Sequence, residues 1–188
     1  MKTLHTQYLK KNITYTGVEL RSHWIMDVTG CIGDAVVAFR GSAEVPIDHM
    51  VDLVDVRENA PIFSRLMLNF LVEHFGMPLG EGVVRQRLLI ALIAEELRRF
   101  PRARRVMRTG DDLYDGKKKL SVSIATASPV SCCMHIGLNI IAKGAPVAAI
   151  GLANYGINPS RFAACVMQRY ADECAQMEEA RCKVRSVP

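Results

Sequence analysis

Lys119-Leu120-Ser121-Val122-Ser123-Ile124-Ala125 and, beyond a Ser128-Pro129 turn, Met134-His135-Ile136-Gly137-Leu138-Asn139-Ile140 alternate polar and apolar residues. Side chains of an extended chain point to opposite faces in turn, so this alternation predicts two strands, over 120–126 and 134–140. Leu120, Val122 and Ile124 share one side, and Lys119, Ser121 and Ser123 the other. In the second strand Met134, Ile136, Leu138 and Ile140 oppose His135, Gly137 and Asn139. A hairpin centred on Pro129 sets Lys119 against Asn139, Ser121 against Gly137 and Ser123 against His135. The result is a strip carrying a cation, two hydroxyls, an imidazole, an amide and a bare glycine. Such a glycine lets a ligand approach the backbone closely. Lys119 can neutralise a carboxylate or phosphate, and His135 can shuttle a proton. A plainly solvated sheet face has the same pattern, and the alternation leaves both readings open.

Outward from this hairpin, Ile13 to Leu20 alternates and reads as a strand, interrupted by Arg21-Ser22-His23-Trp24 before turns at Gly30 and Gly33. Ala35 to Phe39 reads as a short buried strand ending at Arg40-Gly41. Val51 to Val56 fits strand or helix equally. Phe63, Leu66, Met67, Phe70, Leu71 and His74 recur at helical spacing, stopped by Gly76 and Pro78. Val84, Leu88, Leu89, Leu92, Ile93 and Leu97 predict a long, largely buried helix over Val83 to Phe100, ended by Pro101. Pro146 to Leu152 reads as a third late strand. Asn158 is a candidate N-cap with Pro159 at the first helical position, ahead of an apolar stripe through Phe162, Cys165, Val166, Tyr170 and Cys174. Strands grouped apart from helices indicate an α+β fold, a mostly antiparallel sheet packed with helices. No linker, repeat or boundary interrupts it, so residues 1–188 read as one domain.

Composition supports a folded core: 49% of residues are hydrophobic and 23% charged. No apolar run approaches the roughly 20 residues that span a bilayer, and the start, with Lys2, His5, Lys10 and Lys11, lacks the apolar stretch of a secretory signal. A cytoplasmic protein is the expectation. Cys31, Cys132, Cys133, Cys165, Cys174 and Cys182 form no CxxC pair and no zinc-ligand spacing, which predicts reduced, mostly buried thiols. The net charge of +5 is uneven, with Arg98, Arg99, Arg102, Arg104, Arg105 and Arg108 crowded ahead of Lys117, Lys118 and Lys119. Such a run suits phosphates, an acidic partner or simply a solvated helix end. No aromatic residue is interleaved with the arginines, which argues against nucleic acid.

Asp111-Asp112-Leu113-Tyr114-Asp115-Gly116, then Lys119-Leu120-Ser121, then His135-Ile136-Gly137-Leu138-Asn139 resembles the central stretch of biotin and lipoate protein ligases. The resemblance implies Asp112 at the acidic position, Lys119 as the catalytic lysine contacting the acyl carboxylate and the adenylate phosphate, and Asn139 as the strand asparagine. It leaves the cofactor unknown, with ATP and magnesium compatible with it. A longer resemblance, to an uncharacterised family known as domain of unknown function three-six-six, spans nearly the whole chain. It rests on Arg21-Ser22-His23-Trp24, Gly33 to Gly41, His49-Met50-Val51-Asp52-Leu53, Arg85-Gln86-Arg87-Leu88-Leu89 and Lys119 to Thr126. It implies the fold of class II aminoacyl-tRNA synthetases and biotin/lipoate ligases, without a known reaction. Val122, His135 and Asp111 depart from the ligase pattern, and nothing near Arg40-Gly41-Ser42 matches the ligases' glycine-rich arginine loop.

Arg21, His23 and Trp24 are further candidates, an Arg-His-aromatic trio suited to clamping an anionic planar ligand, with Arg40 similarly placed at a strand end. Asp48 and Asp52 share a face if their segment is helical and can then hold magnesium with a nucleotide; a solvated, capped segment is the alternative. Arg85 and Arg87, ahead of the apolar part of the long helix, read as surface residues, with an inward orientation of one of them as the alternative. The leading expectation is an enzyme transferring an acyl or adenylyl group on a small carboxylate or phosphate substrate. In it Lys119 stabilises negative charge, Ser121 and Ser123 donate hydrogen bonds and His135 is acid or base. The alternative is a non-catalytic module binding a small molecule or a partner. A homodimer is compatible with either.

Overall fold

The computed structural model describes residues 4–145 and 147–187. Its central sheet has the order β1 (His5–Tyr8), β2 (Ala35–Val45), β3 (Ile62–Phe75), β8 (Ser131–Ile141), β7 (Ser121–Ala127), all antiparallel except the β1–β2 pair. A smaller antiparallel sheet, β4 (Val106–Thr109), β5 (Asp112–Asp115) and β6 (Lys118–Lys119), lies beside β7. The helices are α1 (Trp24–Thr29), α2 (Leu53–Arg57), α3 (Leu79–Arg98) and α4 (Pro159–Cys182). The α+β class and the antiparallel character of the sheet hold.

Two apolar layers sandwich the large sheet. On one face Val36, Leu68, Phe70, Val72, Ile136 and Leu138 pack with Leu89, Ile93 and Leu97 of α3 and Phe162, Val166 and Tyr170 of α4. On the other, Val37, Phe39, Met67 and Leu71 meet Tyr15, Leu20, Trp24 and Ile25. Arg169 of α4 reaches both Glu95 and the buried Glu96 of α3, tying the helices together. Asn158 caps α4 as expected, accepting from the Arg161 backbone N–H at 3.1 Å, with Pro159 following. Asn158→Ala should lower stability by about 1 kcal/mol, a melting-point drop of roughly 2–4 °C in thermal unfolding.

The largest correction concerns residues 62–75. Their helical spacing is coincidental, for this segment is the central strand β3. A strand covered on both faces has no polar side, so apolar residues crowd it and a 3.6-residue template matches by chance. Leu68, Phe70 and Val72 face the helices, while Met67 and Leu71 face the second layer. Conversely, Ile13 to Leu20 forms no strand beyond one bridge, Tyr15 to Ala43, although the Ile13 and Tyr15 N–H groups donate to the Arg40 and Ser42 carbonyls of β2. A Cβ at Gly41 would overlap the Ile13 carbonyl oxygen, so a glycine permits this crossing. Val51 to Val56 resolves as helix: Asp52 caps α2 by accepting from Val54 and Asp55 N–H groups. Of the strand expected over 146–152, Pro146 lies outside the described residues, and the rest makes only a bridge from Ala149 to Lys119 before a 3-10 turn, Leu152–Tyr155.

The β7–β8 register is one residue from that expected. Ser121 pairs with Leu138, Val122 with Gly137, Ser123 with Ile136 and Ile124 with His135. The turn closes through Ser128 N–H donating to the Ser131 carbonyl, with Pro129 and Val130 as a two-residue loop. The hairpin axis thus falls between residues 129 and 130 rather than on Pro129. Val122 and Ile124 thereby share a face with His135 and Gly137, and the Ser121 and Ser123 hydroxyls turn to the small sheet and α3, although both residues still line the cleft between the sheets.

Smaller differences follow. Cys132, Cys133 and Cys174 are buried thiols, but Cys165 and Cys182 are exposed. Of the two arginines, one of which the sequence allowed to point inward, Arg85 does so, to Glu81 at 2.9 Å and Cys174 Sγ at 3.2 Å, and Arg87 stays near the surface beside Asp111. Among the described residues no helix is long and apolar enough to cross a membrane.

Candidate functional site

A cleft of about 730 Å³ opens on the sheet face away from α3 and α4. Met67 of β3, Val122 and Ile124 of β7 and His135 of β8 form its floor, and Tyr15, Leu20 and Val45 extend the apolar wall. The segment around α2 forms one side, with Asp52 and Asp55; residues 111–119 of the small sheet form another. Gly137 shapes the floor without lining it. A Cβ there would lie 2.7 Å from Met67 Cε, so its absence lets Met67 lie flat across the strands.

Lys119 and Asp112, distant from the central sheet's interior, meet at one end. Lys119 Nζ lies 2.7 Å from Asp112 Oδ2, with the two side chains 32% and 15% exposed. The small sheet creates this pair: β5 and β6 are antiparallel neighbours, and the Lys119 backbone is held by the Ala148 carbonyl and the Ile150 N–H. Ser121 Oγ supports Asp112 from behind, donating to Oδ1 at 3.1 Å while accepting the Leu113 N–H at 2.8 Å. Burial by itself pulls the Lys119 pKa down, but the hydrogen bond and charge of Asp112 outweigh it and the net shift is upward. Lys119 is therefore an ammonium at physiological pH. Burial pushes the Asp112 carboxyl up, against the opposing pull of Lys119. Asp55 is also raised, by burial first and then by the charge of Asp52.

The other expected site residues divide. Asn139 lines the cleft but spends its oxygen on Ser64 Oγ at 3.0 Å and its amide on the Lys119 carbonyl. Ser123 accepts from Gln86 of α3 and donates to the Asp111 carbonyl, each at 2.7 Å, locking the small sheet to the helix layer. His135 is 1% exposed, and burial lowers its pKa to about 3, so its ring is neutral at physiological pH. Its Nε2 lies 3.0 Å from Asn69 Oδ1, and Tyr15 stacks on the imidazole with centroids 3.7 Å apart. An imidazole this hard to protonate does not suit the acid–base role expected of His135.

Arg21, His23, Trp24 and Arg40 are not among the residues lining this cleft. Arg21 pairs with Asp27 at 2.8 Å on the surface. His23, at φ 66°, donates its backbone N–H to the buried Glu73 carboxylate, and Trp24 packs on Phe39. Arg40 is exposed beside Tyr8. Asp48 sits in a 3-10 turn apart from the capping Asp52, and the described residues contain no group of three metal-ligating side chains. In the arginine run, Arg98 and Arg108 bond the Val106 and Gly110 carbonyls and Arg99 pairs with Glu96, while Arg102, Arg104 and Arg105 are exposed. Sequence reasoning overlooked Tyr15, Met67 and Asn69. Reading 62–75 as a strand would have placed Met67 and Asn69 on one face.

The family described as "Domain of unknown function (DUF366)" matches residues 4–185. The solved structure of a protein of unknown function from Pyrococcus horikoshi is 37% identical, with a TM-score of 0.93 covering 99% of this chain and 100% of that one. The fold extends to more distant proteins. A T. acidophilum protein assigned as a lipoate protein ligase, with lipoic acid bound, is 11% identical with a TM-score of 0.61, over 94% of this chain and 87% of that one. Biotin protein ligase from Aquifex aeolicus, in complex with biotin and ATP, is 13% identical with a TM-score of 0.62, over 93% and 72%.

Proposed function

For a chain that belongs to the DUF366 family and carries the biotin/lipoate ligase fold, we propose that the cleft binds a small acid with an apolar body, its carboxylate meeting Lys119. One observation carries this: among the described residues, Lys119 is the only lysine or arginine lining a cleft whose floor and wall include Met67, Val122, Ile124 and Tyr15. An incoming carboxylate shares the ammonium with Asp112, in a partly desolvated place where charge-assisted hydrogen bonds are strong. Lipoic acid and biotin, bound by the two fold relatives, have this form.

The same lysine supports the enzymatic reading, in which the bound acyl group is passed on by acyl or adenylyl transfer and Lys119 steadies the negative charge that develops. The cleft walls do not fit a bare nucleotide triphosphate. Asp52, Asp55, Asp111 and Asp112 line the cleft against one lysine, and this excess of carboxylates repels polyphosphate. That imbalance favours, as second reading, a binding module that holds an acid without activating it.

Calorimetry with lipoic acid, biotin and octanoic acid, alongside ATP–pyrophosphate exchange, separates these. Saturable binding of at least one acid is expected. Exchange stimulated by that acid selects the enzyme; binding without exchange selects the module. If none of the three acids binds, the carboxylate reading is wrong.

A further inference from the structure

Beyond the carboxylate end, the floor of the cleft contains one polar side chain whose hydrogen bonding is incomplete. His135 lines the cleft, and its Nε2 is engaged by Asn69. Because Asn69 Oδ1 can only accept, Nε2 carries the proton and Nδ1 keeps a bare lone pair. No described residue donates to Nδ1. Asn69 is itself 0% exposed, and its Nδ2 has no hydrogen-bond partner among the described residues, an unusual cost to leave in a packed sheet. Tyr15 covers one face of the ring with an interplanar angle of 16°, so the imidazole cannot swing away to solvent. An unpaired acceptor on the apolar floor of a cleft marks a point where a ligand's complementary group is read.

We propose that His135 is a specificity residue accepting, through Nδ1, a hydrogen bond from an N–H or O–H on the buried part of the ligand, with Asn69 as the positioning residue that fixes the imidazole tautomer. This rests on the cleft being the binding site, as proposed above, but not on the ligand carrying a carboxylate. The ligand class is thereby narrowed to compact, largely apolar molecules with an inward amide-, urea- or hydroxyl-type donor. Plain hydrocarbon chains leave the lone pair unsatisfied and are discriminated against.

Long-range ¹H–¹⁵N NMR of the His135 ring reads the tautomer directly, before any ligand is added. The Nε2–H form is expected in the parent. Asn69→Asp, whose carboxylate also accepts from Nε2–H, should keep that form, and Asn69→Leu should lose the preference. An Nδ1–H parent tautomer would overturn the proposal even if the Leu variant failed to fold. The ligand half is tested with imidazolidin-2-one, which has ring N–H donors, against its N,N′-dimethyl derivative. The first should move the Nδ1 resonance upfield and bind about tenfold more tightly, the scale of one hydrogen bond. Equal responses to the two, or no response to either, would overturn it. Both fragments lack a carboxylate, so a cleft that binds acids but ignores the fragments refutes only the role of His135. Fragment binding with no acid binding refutes only the role of Lys119.

Discussion

Lys119→Met should weaken binding of a carboxylate ligand on the order of 50-fold, the scale of losing one charge-assisted hydrogen bond. The ligand's carboxylate would then face Asp52, Asp55, Asp111 and Asp112 with no lysine or arginine among the described lining residues. The parent chain pairs Asp112 with Lys119 at 2.7 Å, and Asp112 is only 15% exposed, so the substitution also strands a largely buried carboxylate. A stability loss of about 1–3 kcal/mol follows. Its pH dependence has a definite sign. Burial raises the folded-state pKa of Asp112, and removing Lys119 removes the main opposing influence. A carboxyl whose pKa is raised on folding takes up a proton more readily in the folded state, so its penalty shrinks as the pH falls. The variant's deficit against the parent should therefore be larger at pH 8 than at pH 5 in denaturant titrations. Asp112→Asn relieves that deficit in the double variant without restoring acid affinity. Unchanged acid affinity in Lys119→Met would remove the lysine from the binding account.

Gly41→Ala should cost about 3 kcal/mol or more, because an added methyl meets backbone rather than a side chain that can turn away. The atom in its path is the Ile13 carbonyl oxygen, with the carbonyl carbon beside it. Relief requires residues 13–15 to lift from β2, breaking the Ile13 N–H to Arg40 and Tyr15 N–H to Ser42 bonds of 2.9 and 2.8 Å. Tyr15 moves with them, so the stack on His135 is lost and the cleft loses part of its wall. The expected melting-point drop is roughly 6–12 °C for a chain of this size, with a change in the His135 ring resonances. A drop below roughly 2 °C would mean that the crossing is looser than the structure shows.

The polar alternation of 119–125 and 134–140 located two strands correctly, and Asn158-Pro159 located the start of a helix. Both signals are local, since side-chain alternation and capping depend on residues within a few positions of one another. The resemblance singled out Asp112 and Lys119 separately, and their 2.7 Å contact emerged only from the structure. Segment 62–75 was misread because its pattern reflects burial on both faces, a property of its neighbours β2 and β8. Arg21, His23 and Trp24 had suggestive chemistry, but none lines the cleft: Arg21 pairs with Asp27, the His23 backbone N–H meets Glu73 and Trp24 packs on Phe39.

From sequence alone came the α+β class, the strand identity of the hairpin and the candidate lysine, because propensity, alternation and capping act within a few residues. Tertiary structure alone decided the register, since one extra residue in the Pro129–Val130 loop turns the Ser121 and Ser123 hydroxyls to the small sheet and α3. It also decided that His135 lies neutral under Tyr15 and that the cleft is walled by carboxylates from α2 and β5. Those features depend on which distant segments are brought together, and desolvation and charge are set by that neighbourhood rather than by residue type.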